Sequence, residues 1–353
     1  MAVANEDETV KEQQGRKQPT MRDVAERAGV SVQTVSNYAN GRTDLMGPET
    51  RERVAEAMVF LDYRPNASAR GLRSARTREI GFMVVDDEAK FLADPMNGLV
   101  MAGSGEVTSQ RDYGMLIQSA RLGEIDDGLL RPLLENRIDG GILFLSGAAR
   151  RRDVYIRRVA DLGFPFVLFG ECRGQDYPAV TAANTAGASQ LTTHLLEKGH
   201  RRVAFIAGHA SWPMIEQRHA GYRAALRDHG IEPARELQLF RGRFDPAAGE
   251  AMAEALLELR EPPTAIVAAN DVLALGVFRA AQHRRLRIPD DVAITGFNDF
   301  DFAPFLAPGL TTVSVPVYEM GRAAGRMVVD QLEGLDGERQ KEFPVEVILR
   351  GSS

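Results

Sequence analysis

Residues Met21–Asn40 read MRDVAERAGVSVQTVSNYAN, and the N-terminal part of the chain is built around them. Val24, Ala25 and Ala28 fall at i, i+1 and i+4, one apolar face of a short helix. Gly29 can take positive φ and end that helix. Val30 is the apolar residue after the turn, and Ser31 is a good N-cap for a second helix. Val35 lies four residues past that cap and can turn back onto the first helix. Small Ala25, a glycine at the turn and apolar Val30 and Val35 make a helix-turn-helix spacing. Gln33, Thr34, Ser36 and Asn37 then form a polar face on the second helix, with groups that suit base edges in a major groove. On spacing alone an ordinary helical hairpin fits as well.

The longer run VAERAGVSVQTVSNYANG resembles the DNA-binding signature of the LacI/GalR family of bacterial transcription regulators, close to D-V-A-x-x-A-G-V-S-x-x-T-V-S-R-x-x-N. Asp23, Val24, Ala25, Ala28, Gly29, Val30, Ser31, Thr34, Val35, Ser36 and Asn40 stand in place, and Asn37 replaces the usual Arg. The resemblance implies an all-α helix-turn-helix head reading double-stranded DNA. Its contact residues would be Thr20, Ser31, Val32, Gln33, Thr34, Ser36, Asn37 and Asn40. Gln33 suits adenine, while Val32 and Thr34 suit a thymine methyl. The loss of Arg at 37 predicts a target that departs from the family's common one.

Charge is distributed to match. The chain carries a net −6, yet Arg16–Arg78 holds 12 Lys and Arg against 7 Asp and Glu, and residues 79–353 are net −8. A basic head on an acidic body draws phosphate to one end only. With 44% hydrophobic residues, 353 positions make two or three globular domains. No apolar run approaches a membrane span. MAVANEDETVKEQQGRKQ has no hydrophobic h-region, so a bacterial cytoplasmic protein is expected. The single cysteine, Cys172, excludes a disulfide within the chain; a small apolar role is preferred to a reactive thiol.

Four segments are expected. Residues 1–18 read as a disordered tail and 19–64 as the head. Thr20 and Asp23 form a capping box, and Pro48 opens a third helix with Val54, Ala57, Met58 and Leu61 inward. Residues 65–76, PNASARGLRSAR, are small and basic around one leucine. A plain linker with Leu72 packed on the core is one reading. The family resemblance implies a hinge helix instead, placing Ala69 and Leu72 at the DNA with Leu72 as a minor-groove wedge.

Residues 77–353 alternate strands and helices, which predicts parallel sheets covered on both faces. Expected strands are EIGFMVV (79–85), YGMLIQS (113–119), DGGILFL (139–145), FPFVLFG (164–170), RRVAFIAG (201–208), LQLFRG (237–242), TAIVAAN (264–270) and VAITGFN (292–298). A helix is expected near Glu124 to Asn136. EKGHRRVAFIAG, RHAGYRAAL, AANDVLALGVFRAA, IPDDVAITGFND and TTVSVPVYEMGRAAG extend the resemblance over about 330 residues. It implies an α/β, two-lobed body like a periplasmic binding protein, with a small-molecule effector, sugar-like, between the lobes.

The resemblance assigns effector contacts to Phe91, Trp212, Arg218, Phe244, Asp271 and Asn298. Each residue has a plainer alternative. Asp271 fits a helix N-cap, Arg218 a solvated helix charge, and Trp212 simple loop packing. The first-lobe half departs from the family pattern. DEAKFLADP follows the first strand, Gly170-Glu171 stands where Asp-Arg is common, and Ala183 replaces a frequent Asp. The effector's identity therefore stays open.

No nucleophile elbow, P-loop, metal-ligand set or catalytic carboxylate pair is visible, so neither catalysis nor a cofactor is expected. His194, His200 and His209 lack metal partners at useful spacing. A sugar-transport protein of the same body fold would need an export signal and no DNA-binding head. VEVILRGSS contains no leucine heptad, so a homodimer is the expected assembly, which predicts a pseudo-palindromic operator. The sum is an effector-controlled transcription regulator, with repression the expected mode.

Overall fold

The structure is a computed structural model and describes residues 19–39, 41–64, 76–85, 94–120, 129–171, 177–209 and 211–353. The expected tail and most of the expected hinge lie outside these residues, as do Asn40, Ala69, Leu72, Phe91 and Cys172. Contacts divide the chain into two compact units, Met1–Thr77 and Arg78–Ser353.

The first unit holds α1 (Met21–Ala28), α2 (Val32–Ala39) and α3 (Pro48–Phe60). Thr20 and Asp23 cap α1 reciprocally, satisfying two N–H groups that the helix itself cannot. Gly29, at φ 63°, ends α1, and the Val30 N–H closes back on Ala25 O at 3.0 Å. The turn therefore needs the left-handed conformation that glycine supplies without strain. Val24, Ala25, Ala28, Val35, Val54 and Ala57 are buried together, with Val30, Met58 and Leu61 packed around them. The expected inner stripe of α3 is thus the third wall of this small core.

The second unit has two parallel sheets. Its first part runs β1 (Glu79–Val85), α4 (Pro95–Gln110), β2 (Gly114–Ala120), α5 (Arg131–Leu134), β3 (Gly140–Leu145), α6 (Ala149–Asp161), β4 (Phe166–Phe169) and β5 (Ala179–Ala182). It continues α7 (Asn184–Glu197), β6 (Val203–Ala207), α8 (Pro213–Asp228), β7 (Gln238–Phe240), α9 (Pro246–Leu257), β8 (Ala265–Ala268), α10 (Asp271–His283) and β9 (Ala293–Thr295). Then come β10 (Thr312–Ser314), α11 (Val317–Glu333), β11 (Gln340–Phe343) and β12 (Glu346–Ile348).

One sheet is ordered β11-β5-β4-β3-β1-β2, the other β7-β6-β8-β9, and β10 pairs antiparallel with β12. The chain crosses between lobes after β5, after β10 and after β11. β11 therefore joins β5 in the first sheet, and α11 covers that sheet, although both come late in the sequence.

The central strands are almost wholly buried, β3 and β6 along their entire length, as sheets covered on both faces require. Close helix pairing depends on missing side chains. A Cβ on Gly221 of α8 would lie 2.1 Å from Thr185 O of α7, so only glycine allows that approach. Near the expected Glu124–Asn136 helix, the described residues hold only α5. Pro132 opens this short turn, and Asn136 at φ 52° leaves helical geometry just after it.

Candidate functional site

In the first unit, α2 carries the polar face the sequence predicts, with one correction. Ser31 Oγ accepts from the Thr34 N–H at 3.1 Å and pairs with Thr34 Oγ1 at 2.9 Å, so both hydroxyls serve the N-cap. Val32 and Gln33 are exposed, and Gln33 Nε2 donates to Asn37 Oδ1 at 3.0 Å. That bond holds two candidate base readers as an i, i+4 pair. Ser36 is different. It is buried beside Val35 on the inner side of α2, so it is not on the solvent face. Its polar side chain hid this, because a serine next to Val35 gives no apolar signal for the inner face. Arg22, Arg42, Arg51 and Arg53 are exposed, and Arg27 lies 3.2 Å over the Phe60 ring. These supply positive charge suited to phosphate.

In the second unit the site forms at the carboxyl ends of the strands, where ligands of such sheets bind. Arg218 on α8 is its centre and is buried, not a solvated helix charge. Its Nε donates to Asn184 Oδ1 at 2.9 Å, Nη1 to Ala269 O at 2.7 Å and Nη2 to Asn298 Oδ1 at 2.8 Å. The guanidinium lies 3.8 Å over the Phe297 ring. Burial pushes its pKa down to about 9, and the charges of Asp271 and Asp94 oppose the shift. It stays a cation at neutral pH.

Asn298 holds this geometry through an unusual backbone. At φ 109° it is strained for a residue with a Cβ, and its N–H donates to Val313 O at 2.8 Å. Strain of this kind costs about 1–3 kcal/mol and gathers at functional sites.

Asp271 requires one correction. It is not the N-cap of α10: Asn270 is, accepting from the Leu273 N–H at 2.9 Å. It is fully buried, and its oxygens accept from the Phe300 N–H at 2.8 Å and Thr312 Oγ1 at 2.6 Å. Its carboxylate therefore ties α10 to the segments beyond β9. Burial raises its pKa to about 6 against those two hydrogen bonds.

Trp212 is buried against Phe144 of β3, ring centroids 4.5 Å apart, so the packing alternative holds. Phe244 is half-buried, with its ring against the bare backbone of Gly208. Phe91 lies outside the described residues.

Several site residues were not expected. Asp94 caps α4 through Met96 N at 2.9 Å; burial raises its pKa while Arg218, from the other lobe, lowers it. The Asp-Pro pair before a helix was the available signal. Asn184 donates to Gln217 Oε1 at 3.0 Å and accepts from Arg218, but the strand that places it, β5, was not seen in advance. Glu171, noted only as a departure, is buried with both oxygens 3.1 Å from Arg152 Nε. Among the described residues, Glu250, Glu254 and His283 bring ligand atoms within 4.8 Å of one another. Glu250 pairs with Arg279 at 3.3 Å and lies 3.2 Å from His283 Nδ1, so a protein cation already sits in the cluster.

A three-helix head with a base-reading helix, followed by a two-sheet α/β body with a polar site at its strand ends, defines a ligand-binding transcription regulator. Residues 20–66 match the bacterial regulatory proteins of the lacI family, and residues 192–353 match the periplasmic binding protein-like domain. The regulator CelR of Thermobifida fusca is 33% identical over 95% of this chain and 96% of its own length. The repressor CytR of Escherichia coli is 32% identical over 95% and 96%. The lac repressor dimer bound to operator and an anti-inducer superposes with a TM-score of 0.84 at 25% identity, covering 95% of this chain and 99% of that one. A CelR–cellobiose complex gives 0.71 at 31% identity, covering 95% and 100%. The chain belongs to the LacI family of bacterial transcription regulators and is not an enzyme. Among the described residues, no helix is long and apolar enough to cross a membrane.

Proposed function

We propose that this chain is a cytoplasmic repressor that binds a pseudo-palindromic operator as a homodimer and releases or tightens its grip when a small polar effector enters the body. Residues 19–64 read the operator, 65–76 form the DNA-linked hinge with Ala69 and Leu72 at the duplex, and 77–353 bind the effector and dimerise. Gln33 and Asn37, with Val32, Thr34 and Asn40, meet base edges. Thr20 and Ser31 contribute at the backbone, where a cap hydroxyl still has a lone pair to offer.

The observation that carries the effector reading is the buried Arg218 held between Asn184 and Asn298, with Asp94 of the other lobe in its field. Such a cluster presents hydrogen-bonding groups of fixed direction to a polyhydroxyl ligand. Phe244, Trp212 and Phe91 are carried from the sequence as candidate apolar contacts of the effector, and Asp271 as a candidate polar one. The cellobiose bound to CelR makes a sugar the first class to try. An effector shifts operator affinity only through unequal binding to two states of the body.

The test is a gel shift with DNA from upstream of the gene, repeated across a library of sugars and nucleosides. Preferential binding to an inverted repeat, altered by one ligand class, is expected. Equal affinity for unrelated DNA refutes the regulator mechanism, and indifference to every ligand while calorimetry shows binding refutes the coupling.

A further inference from the structure

Beyond the carboxyl ends of β3, β4 and β6 the lobes meet through contacts that need no ligand. Arg152 of α6 and Glu171, just after β4, are both buried and both belong to the first lobe. Arg152 Nη2 reaches across to Glu216 Oε2 of α8 at 3.3 Å, and Nη1 reaches Glu216 Oε1 at 3.4 Å. Nη1 also donates to Gly147 O. Glu216 accepts from Ser211 Oγ in its own lobe, and Ser211 O accepts from the Gly147 N–H at 2.7 Å. Phe144 against Trp212, and Met214 against the bare backbone of Gly170, complete the seam.

The partners are unequal. Glu171 keeps Arg152 neutralised whether or not the lobes meet, because both lie in one lobe. Parting a wholly buried pair would cost several kcal/mol and lock the protein shut. Glu216 instead has a side chain 49% exposed, and water can receive it when it lets go. An ion pair with one half-exposed member contributes little, on the scale of a few-fold in population. That is the range in which a ligand can shift a two-state balance. The position also fits. β4 and β3 lie one and two strands from β5, where the chain crosses between lobes. At about 4.8 Å per strand, the seam sits about 5–10 Å from that crossover. A hinge rotation about that crossover moves the two lobes' charges apart in proportion to this lever arm, and so acts on the contact directly.

We propose that Glu216, closing on Arg152, is an interlobe latch that sets the open-to-closed balance of the empty body. The proposal rests on the effector-controlled reading above and names a device that regulates that site.

The test is a distance measurement by electron spin resonance on the full chain. The chain's cysteine is first replaced, Cys172→Ser. Spin labels are placed at Asp161→Cys and Asp228→Cys, the exposed far ends of α6 and α8. Glu216→Gln is expected to shift the empty protein toward longer distances, raising the open-to-closed ratio about fivefold. Ser211→Ala, which removes one donor to Glu216, is expected to shift it less in the same direction. Unchanged distances in Glu216→Gln overturn the latch. So does a lowered melting temperature with unchanged distances, which marks a purely structural pair. The measurement uses neither operator nor effector. Failure of the regulator reading shows in the gel shift, and failure of the latch shows only here.

Discussion

Replacing Asp271 separates a ligand contact from an internal tie. The wild-type carboxylate accepts from Phe300 N–H and Thr312 Oγ1 with no access to solvent. Asp271→Ala leaves both donors buried and unpaired, which costs about 1–3 kcal/mol each and about 2–6 kcal/mol together. Asp271→Asn does not. Its oxygen accepts from Phe300, its amide donates to Thr312 Oγ1, and the threonine hydroxyl turns to suit. The charge adds a pH signature. The carboxyl moves from 3.8 to about 6 on folding, because burial disfavours its ionised form. Between those values the folded chain keeps a proton that the unfolded chain has released. Wild-type stability therefore falls as pH rises through that window, by up to about 3 kcal/mol at 1.36 kcal/mol per unit. Asparagine does not titrate, so its stability relative to wild type should climb by about 1–3 kcal/mol from pH 4 to pH 7. Other groups cancel in the difference. Urea unfolding followed by the fluorescence of Trp212, the one tryptophan, reads this directly. Effector affinity of the asparagine variant should stay within about threefold of wild type, about 0.7 kcal/mol. An alanine variant as stable as wild type, or a flat pH difference, refutes the internal-tie argument.

Arg218→Met should abolish effector binding by calorimetry and cost about 3–5 kcal/mol in urea unfolding, because Asn184, Asn298 and Ala269 O lose a buried donor; retained binding removes it from the site. Gln33→Ala should weaken operator binding about tenfold or more in a gel shift, the scale of one base-edge contact. Ser36→Ala should instead lower the head's melting temperature and leave base preference unchanged, since Ser36 is buried. Gly29→Ala should cost the head about 1 kcal/mol, because φ 63° is left-handed although nothing crowds the new methyl.

What the sequence made legible was whatever rests on local rules. The capping box at Thr20, the turn at Gly29 and proline at the start of α3 are each fixed by neighbours within four residues, and all stand as expected. The longer buried strands were visible as apolar runs. β5 and β10 were not, being short runs with threonine or serine, AVTA and TVS. β11 and β12 were not either, because they are partly exposed, and β11 finds its partner 161 residues back in the chain, where Gln340 pairs with Ala179. The site divides the same way. Arg218 stood out from its motif, but its partners Asn184 and Asn298 lie 34 and 80 residues away, and only the folded chain joins them. Asp271 is legible only in part for a related reason: its place at a strand end is local, but the two donors to its oxygens come from remote segments. Asn40, Ala69, Leu72 and Phe91 remain expectations from the sequence.

The first turn of α8 links the two lines of inference. Glu216, Gln217 and Arg218 are consecutive, so each is turned about 100° from the last and must face a different neighbour. Glu216 faces Arg152 in the first lobe, Gln217 faces Asn184 beside a crossover, and Arg218 faces Ala269 and Asn298 within the second lobe. Asn184 is shared, donating to Gln217 and accepting from Arg218. A ligand that competes for Asn184 or Asn298 therefore pulls on the turn that also carries Glu216. A rigid helical turn transmits such a displacement without loss of register, since shifting one residue of it moves its neighbours. On the proposed reading, the effector need not touch Arg152 or Glu171 to open or shut the seam. The departure at Gly170-Glu171 then has a physical role: glycine admits Met214, and the glutamate holds Arg152 where Glu216 can reach it.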